Sequence, residues 1–318
     1  MRLLRAELAT LNRPLTWAVM MAAAAFCVLL AIGGAGNARR AVADDAGGRP
    51  PSCAVMHLPA GPACAQAQAT QRQRLDAARR QDKAAAAHTA AQLDPIAAGA
   101  EAAGLMASLP GALAVSLLAG GHVGGEWSGR TLKNVLTQNG RRPRVLAAKL
   151  VSLWIAGAGL VCSCWACLAV AGPLIREADH LPDPHQSAYH AASWASTQIG
   201  RSLLVLAAFA AIGLLAGVVT RGTIGTMAAG AAVVLAMLIA ATLPGLGRWT
   251  PATWVQGWMG FAAGQASISS LPDNFWSRFL DSGGAPPGHL TGLAGVTGLF
   301  LTCLPAAMLV FRRLDVTG

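Results

Sequence analysis

The chain is dominated by long runs that contain no charged side chain. Five such runs of 19 to 30 residues occur, namely Pro14–Ala38, Ala102–Gly125, Ser202–Thr220, Gly222–Gly247 and Ser282–Phe311, and a sixth, Val145–Ile175, contains only Lys149. A helix of about 20 apolar residues crosses the hydrocarbon core of a bilayer. Because backbone groups in lipid must be hydrogen-bonded internally, such runs form helices. The sequence therefore predicts an all-α polytopic membrane protein with about six transmembrane helices.

The composition excludes an ordinary soluble domain. Hydrophobic residues make up 54% of the chain and charged residues only 12%, whereas soluble domains carry about 25% charged residues. A cleavable signal peptide would explain the first apolar run but none of the other five.

The distribution of charge predicts the orientation in the membrane. With the N-terminus inside, the cytoplasmic segments hold twelve basic and three acidic residues, and the outer segments hold twelve basic and eleven acidic residues. Short basic loops on one side follow the positive-inside rule. We therefore expect cytoplasmic N- and C-termini in the plasma membrane. The net charge of +10 then suits anionic membrane lipid, and no nucleic-acid partner is expected.

Residues 37–101 are predicted to form an extracytoplasmic insert. From Gln66 to Gln92 the insert lacks any helix breaker and is rich in Ala, Gln and Arg, which predicts a helix. Cys53 and Cys64 lie in its Pro-rich first half. Because the outer compartment is oxidising, we expect a disulfide between them, with two free thiols as the alternative.

Several local signals predict where the spans begin, bend and end. Gly33, Gly34 and Gly36 are expected to end the first span, and Ser108-Leu109-Pro110-Gly111 predicts a kink in the second. Arg221-Gly222 alone separates two apolar runs, which predicts a tight hairpin. The outer loop 248–281 is rich in Trp and Phe, so we expect it to lie in the membrane interface.

The one wide cytoplasmic loop, residues 123–144, has an amphipathic pattern. On a helical wheel one arc is polar and the opposite half is apolar. The polar arc consists of Glu126, Arg130, Lys133, Asn134 and Thr137, and the apolar half of Trp127, Leu132, Val135 and Leu136. Glu126 and Arg130 are spaced to form an i, i+4 pair. The pattern predicts a short helix on the inner surface, with its apolar face toward the bundle.

The same loop contains a family-like motif. The run Glu126-Trp127-Ser128-Gly129-Arg130-Thr131-Leu132-Lys133-Asn134-Val135-Leu136 is followed by Arg141-Arg142 and by Ala147-Ala148-Lys149-Leu150. This resembles the type-2 ABC exporter permease family, whose members carry a Glu, a Gly-(x)-Thr-Leu segment, a hydrophobic pair, an Arg-rich turn and a Lys-Leu that enters the third helix. The six-span plan, the amphipathic N-terminal helix and the aromatic outer segment are similar as well.

The resemblance implies a function and partners. In that family the loop is a coupling helix that docks on a separate ATPase subunit, which binds ATP and Mg²⁺. Carried over, Glu126, Arg130, Thr131, Lys133 and Asn134 would face the ATPase. Trp127, Leu132, Val135 and Leu136 would anchor the helix to the bundle. A second permease copy, identical or related, would complete an export pathway.

The chain itself lacks the motifs of an ATPase or an intramembrane enzyme. A phosphate-binding loop needs Gly-Lys-[Ser/Thr], but Lys83, Lys133 and Lys149 follow Asp, Leu and Ala. No His-Glu-x-x-His zinc motif occurs. We therefore expect no catalytic residues, no metal site and no cofactor in this chain.

Two alternatives remain open. An ion-coupled secondary transporter needs ionisable groups within its helices. The apolar runs hold almost none, and the nearest candidate, His122, lies at a helix end. A membrane anchor or sensor without transport is also compatible. No pattern in the sequence identifies a transported substrate.

Overall fold

A computed structural model describes residues 2–45, 52–56, 59, 61–129, 142–183, 187–242, 249–260 and 287–313. Within these residues the structure is helical and contains no strand. Its helices are α1 (Arg2–Thr10), α2 (Pro14–Asp45), α3 (Pro62–Gln92), α4 (Ala98–Met106), α5 (Leu109–Ala119), a π-helical turn (Gly120–Gly124), α6 (Gly125–Ser128), α7 (Arg142–Ala178), α8 (Ala188–Thr220), α9 (Thr223–Thr242), α10 (Pro251–Met259) and α11 (His289–Arg313).

Four of these helices are long and apolar enough to cross a membrane. They are the Pro14–Arg40 part of α2 together with α7, α8 and α11. The bent pair formed by α4 and the segment Leu109–Ser128 is a fifth if it counts as one broken span. By the same measure the apolar part of α9, Thr223–Met237, is shorter than a span. The described chain is thus compatible with an integral multi-pass membrane protein of four or five such helices.

Small residues hold the helices together. Helix α2 packs on α7, α4 packs on α7 and α8, and α5 packs on α8 and α9. Ala102 and Ala103 are completely buried, and a Cβ added at Gly213 of α8 would lie 2.7 Å from the Cβ of Ala119 in α5. Because lipid tails are as apolar as leucine, membrane helices associate through such close contacts rather than through apolar burial alone.

The helix bundle has two chemically different ends. At one end α1, α6, the start of α7, the α8–α9 turn and the end of α11 meet. Among the described residues there, every exposed charged side chain is an arginine, and we call this the basic end. These arginines are Arg5, Arg144, Arg221, Arg312 and Arg313. At the opposite end, which we call the disulfide end, lie α3, α10 and the start of α8.

The predicted break in the second span is confirmed. Helices α4 and α5 are bent by 63° relative to each other, and Pro110 lies in the first turn of α5. A Cβ at Gly111 would clash with the backbone carbonyl of Met106, so this sharp turn requires glycine at that position.

The predicted hairpin at Arg221-Gly222 is also confirmed. Helix α8 ends at Thr220 and α9 begins at Thr223. Arg221 adopts a left-handed conformation with φ of 53°, and its N–H donates to the carbonyl of Gly217 at 3.1 Å. This is an αL helix cap, and a non-glycine residue in it costs on the order of 1 kcal/mol.

The first 100 residues contain two long helices, α2 and α3. The expectation that Gly33, Gly34 and Gly36 end the first span is wrong, because α2 continues through them to Asp45. The helix predicted over Gln66–Gln92 is present as most of α3, which packs on α2. Ala86, Ala90 and Ala91 near its end are buried, while most of its length is exposed. Helix propensity therefore outweighs the three glycines, and α3 forms without a core of its own.

The segment before α3 is joined to it covalently. A disulfide links Cys53 to Cys64 in the first turn of α3, with the Cα atoms 5.8 Å apart. The other five cysteines are free. At the same end of the bundle, Arg39 of α2 pairs with Asp179, just after α7, at 3.4 Å.

Part of the aromatic segment 248–281 is visible as α10. A Cβ at Gly292 or Gly295 of α11 would clash with backbone or ring atoms of Trp254 and Trp258, so α10 lies directly on α11. The Nε1 of Trp258 donates to the carbonyl of Arg201 at 3.0 Å. Residues 261–286, with the remaining aromatic side chains of that segment, lie outside the described residues.

The disulfide predicts a thiol count. The chain has seven cysteines and five of them are free, so the protein unfolded without reductant should titrate five thiols, and seven after reduction. In Cys53→Ser the released Cys64 should raise the count without reductant to six. Seven thiols in the unreduced wild-type protein, purified without reducing agents, would contradict the pairing.

Candidate functional site

The described residues contain a buried cluster of ionisable side chains at the basic end. It consists of Glu7 from α1, His122 from the π-helical turn, Glu126 from α6 and Lys149 from α7. Each of the four is at most 5% exposed. Three separate segments of the chain therefore meet through charged side chains that are shielded from water.

Lys149 is the centre of this cluster. Its Nζ donates to Glu7 Oε2 at 3.0 Å and to Glu126 Oε1 at 2.6 Å. Hydrogen bonds between charged partners are stronger than neutral ones. One ammonium group thus joins the N-terminal helix and the start of the wide loop to the helix that follows the loop.

His122 forms hydrogen bonds through both of its ring nitrogens. Its Nε2 lies 2.7 Å from Ser152 Oγ, and its Nδ1 lies 3.1 Å from Thr10 Oγ1. Both hydroxyls already donate their single proton to a backbone carbonyl, Ser152 to that of Lys149 and Thr10 to that of Glu7. His122 therefore joins the π-helical turn to α1 and to α7.

The two carboxylates of the cluster are held by Lys149 and by His122. The ammonium of Lys149 contacts both Glu7 and Glu126, and His122 Nε2 lies 3.2 Å from Glu7 Oε2. Burial by itself raises the pKa of Glu7, but the hydrogen bond from His122 and the charge of Lys149 outweigh it, so this pKa lies below its ordinary value. Buried charges are tolerated when they are paired in this way.

The backbone around the cluster is shaped by a π-helical turn and by glycines. The turn Gly120–Gly124 interrupts the helix just before Glu126, and π-helical turns are common at functional positions. A Cβ at Gly124 would lie 2.7 Å from the carbonyl oxygen of Gly222. Glycine therefore lets the α8–α9 turn pack against the start of the wide loop.

Three members of the cluster have the composition of a metal site. One ligand atom each from Glu7, His122 and Glu126 lie within 4.8 Å of one another. Here, however, the ammonium of Lys149 contacts both carboxylates, and both ring nitrogens of His122 are within hydrogen-bond distance of a hydroxyl. The chemistry of this donor set is that of an ion-pair network.

Next to the cluster, Trp127 joins α6 to the bundle. Its ring meets that of Phe311 edge-on, with the ring centres 6.4 Å apart, and the guanidinium of Arg221 lies 6.0 Å from its centre. Ser128 and Thr223 are hydrogen-bonded through their hydroxyls at 2.9 Å. The start of the loop is therefore held by α11 and by the α8–α9 turn as well as by α1 and α7.

The structure changes the interpretation of Glu126. The sequence placed this residue on a polar arc facing away from the bundle, but its carboxylate is buried against Lys149. The attraction of the buried ammonium outweighs the preference of a carboxylate for water. Trp127 lies against the bundle, as its assignment as an anchor requires. The remaining residues assigned to the loop, Arg130, Thr131, Leu132, Lys133, Asn134, Val135 and Leu136, lie outside the described residues.

Sequence reasoning missed Glu7, Lys149 and His122 as one site. It took the apolar runs to hold almost no ionisable groups, whereas packing buries four of them together here. One available signal was that Lys149 is the only charge in the run Val145–Ile175. A lone charge inside an apolar helix must find a counter-charge. The identity of that partner depends on how helices 140 residues apart in sequence are packed.

Comparison with known proteins adds no assignment, since no family model, no curated protein and no solved structure matches this chain.

Removal of the central ammonium should destabilise the protein strongly. Lys149→Met leaves two buried carboxylates without their shared cation, and breaking a buried pair in this way costs about 3–5 kcal/mol. Thermal unfolding in detergent should show a large drop in Tm. Arg144→Met, on the exposed face of the same helix, should have little effect. Adding Glu7→Gln and Glu126→Gln to Lys149→Met should recover much of the loss. Equal Tm values for the two single variants would contradict the central role of Lys149.

The lowered pKa of Glu7 predicts a pH dependence of known sign. Because ionised Glu7 is favoured in the folded state, its contribution to stability is complete well above its ordinary pKa of 4.5. It is lost as the pH falls through and below that value. The Tm of wild type minus that of Glu7→Gln should therefore be positive at pH 7 and shrink below about pH 4.5. A difference that grows on acidification would contradict this assignment.

Proposed function

We propose that this chain is the membrane permease subunit of an ATP-driven exporter in the plasma membrane. In this proposal it has six spans and cytoplasmic termini, and a separate ATPase subunit binds ATP and Mg²⁺. The observation that carries the proposal is the anchoring of residues 120–129. The segment that leads into the wide loop is tied by buried ion pairs and by Trp127 to four other parts of the bundle.

Such anchoring is what a coupling element requires. A force applied to residues 130–141 would reach α7 directly through the chain and α1 through the two contacts of Lys149. It would reach α11 through Phe311 and the α8–α9 turn through Arg221 and Thr223. Because packed elements move as units, a small displacement of the loop can change the packing of several spans together. The energy for this change comes from the difference in ATPase contacts between the two states.

The charge of the basic end supports the proposed orientation. Its two acidic residues in the described chain, Glu7 and Glu126, are buried and paired with Lys149, which leaves an exposed surface of arginines. That surface suits the anionic inner leaflet and the positive-inside rule. Helix α9 has a short apolar part. It begins at the α8–α9 turn of the basic end, and the next described helix, α10, lies at the disulfide end. We therefore assign α9 as the fifth of the six proposed spans.

The residue-level resemblance supports a two-permease assembly. A second permease, identical or related, would enclose the substrate pathway together with this chain, and each would dock one ATPase. Loop residues Arg130, Thr131, Lys133 and Asn134 would form the polar surface that contacts the ATPase. Glu126 would act from within, by holding the start of the loop to Lys149.

The loop should be required for capture of the ATPase. The test co-expresses the tagged full-length permease with phosphate-loop ATPases of the same organism and measures which ATPase co-purifies. Arg130→Ala combined with Lys133→Ala should lower the amount of co-purified ATPase at least about tenfold, which corresponds to about 1.4 kcal/mol of binding free energy. Membrane insertion and Tm should not change.

The matched control removes the same charge at the same end but outside the loop. Arg312→Ala combined with Arg313→Ala should retain near wild-type capture. Equal losses in both double variants would indicate a general charge effect and would sink the assignment of the loop. A wild-type permease that captures no ATPase would favour an ion-coupled transporter or a membrane anchor.

A further inference from the structure

A second buried acidic residue lies at the opposite end of the bundle from the ionic cluster. Glu101, in the first turn of α4, is only 5% exposed. One hydrogen bond joins it to Gln92 at the end of α3. Its other carboxylate oxygen, Oε2, is buried and has no hydrogen-bond partner among the described residues.

Glu101 faces a small cavity between four helices. Ala31 and Gly34 of α2, Thr89 and Gln92 of α3, and Leu168 of α7 line the same space. It has room for one water-sized particle. Three of the lining residues have polar side chains, namely Glu101, Gln92 and Thr89. A hard cation prefers oxygen ligands such as those of carboxylates, carboxamides and hydroxyls.

The two buried acidic sites differ in how their charge is balanced. At the basic end Lys149 supplies a cation to Glu7 and Glu126. Among the described residues no Lys, Arg or His side chain forms an ion pair with Glu101. An isolated carboxylate in an apolar interior is strongly disfavoured. The charge must therefore be removed by a bound cation or by a proton.

We propose that Glu101 and its cavity form a binding site for a single positive charge, taken up as a proton or as one small monovalent cation. When a proton is bound, it resides on Oε2 as the hydroxyl of a carboxylic acid. When a metal cation is bound, it is held by Oε2 in the cavity. A buried ionisable group within the helix bundle of a membrane protein commonly marks an ion or proton site.

Occupancy of this site would control the docking of α3. The cavity is lined by residues of α3 on one side and of α2, α4 and α7 on the others. Without a cation, the ionised Glu101 favours entry of water, and the helix most easily displaced is α3, most of whose length is exposed. The bound cation or proton would therefore hold the last turn of α3 against the bundle. Helix α3 is the helix that contains Cys64 of the disulfide.

This inference is independent of the proposed ATPase coupling. Leu168, beside the cavity, and Lys149, in the ionic cluster, are 19 positions apart on α7, which is about 28 Å along the helix axis. The cation site concerns the disulfide end and stands whether or not the loop at the basic end binds an ATPase.

The test uses the purified full-length protein in lipid nanodiscs. Its Tm is measured in NaCl and, at equal ionic strength, in N-methylglucamine chloride over a range of pH. Infrared difference spectra of the same samples report the carbonyl band of a protonated carboxyl group. The variant is Glu101→Gln, which keeps the shape but not the charge, and the control is the exposed Glu177→Gln on α7.

Two results would support the site and distinguish its ligand. A rise in Tm of about 2 °C or more with Na⁺ at fixed pH, absent in Glu101→Gln, would identify a metal cation. A rise on acidification alone, with a carboxyl band that disappears as the pH increases and is missing in Glu101→Gln, would identify a proton. Glu177→Gln should behave as wild type in either case.

The proposal is overturned if wild type and Glu101→Gln respond identically to Na⁺ and to pH. It is equally overturned if the carboxyl band persists unchanged up to the pH of unfolding, because the group would then never exchange its proton. If Glu101→Gln does not fold, Glu101→Asp replaces it. With the shorter side chain, the concentration of Na⁺ or of protons needed for half of the stabilisation should rise about tenfold. An unchanged concentration would rule the site out.

Discussion

The packing at one end of this protein depends on a single ammonium group placed between two carboxylates. Lys149 contacts both Glu7 and Glu126, so α1, α6 and α7 are joined at one point. In an interior that excludes water, these charges are tolerated only because they are paired with one another. Helix α1, the start of the loop and α7 are therefore held in one fixed arrangement relative to one another.

That arrangement gives the wide loop a defined origin. The π-helical turn and Gly124 bring residues 120–129 against the α8–α9 turn, and Trp127 contacts Phe311. A loop that begins from such a fixed segment can transmit force, whereas one that begins from a frayed helix end cannot. The proposed coupling role rests on this mechanical property together with the resemblance of residues 126–150.

The two ends of the bundle deal with buried charge in different ways. At the basic end the protein supplies its own cation, and the buried charges are paired. At the disulfide end no described residue supplies a counter-ion to Glu101, and its carboxylate faces a small cavity. The first solution favours a permanent structural joint, and the second suits a site whose ligand can be exchanged with the solution.

The amino-acid sequence by itself determined the helical class, the break at Pro110-Gly111, the hairpin at Arg221-Gly222 and the helix over Gln66–Gln92. These follow from local properties, namely run length, backbone sterics and helix propensity, that act within a few turns. The partners of Lys149, the burial of Glu126 and the cavity at Glu101 were decided only by the tertiary structure. Each depends on which helix faces meet, and the π-helical turn changes the facing of all residues that follow it. Pairing energies between residues 142 positions apart, as for Glu7 and Lys149, leave no periodic pattern in a sequence.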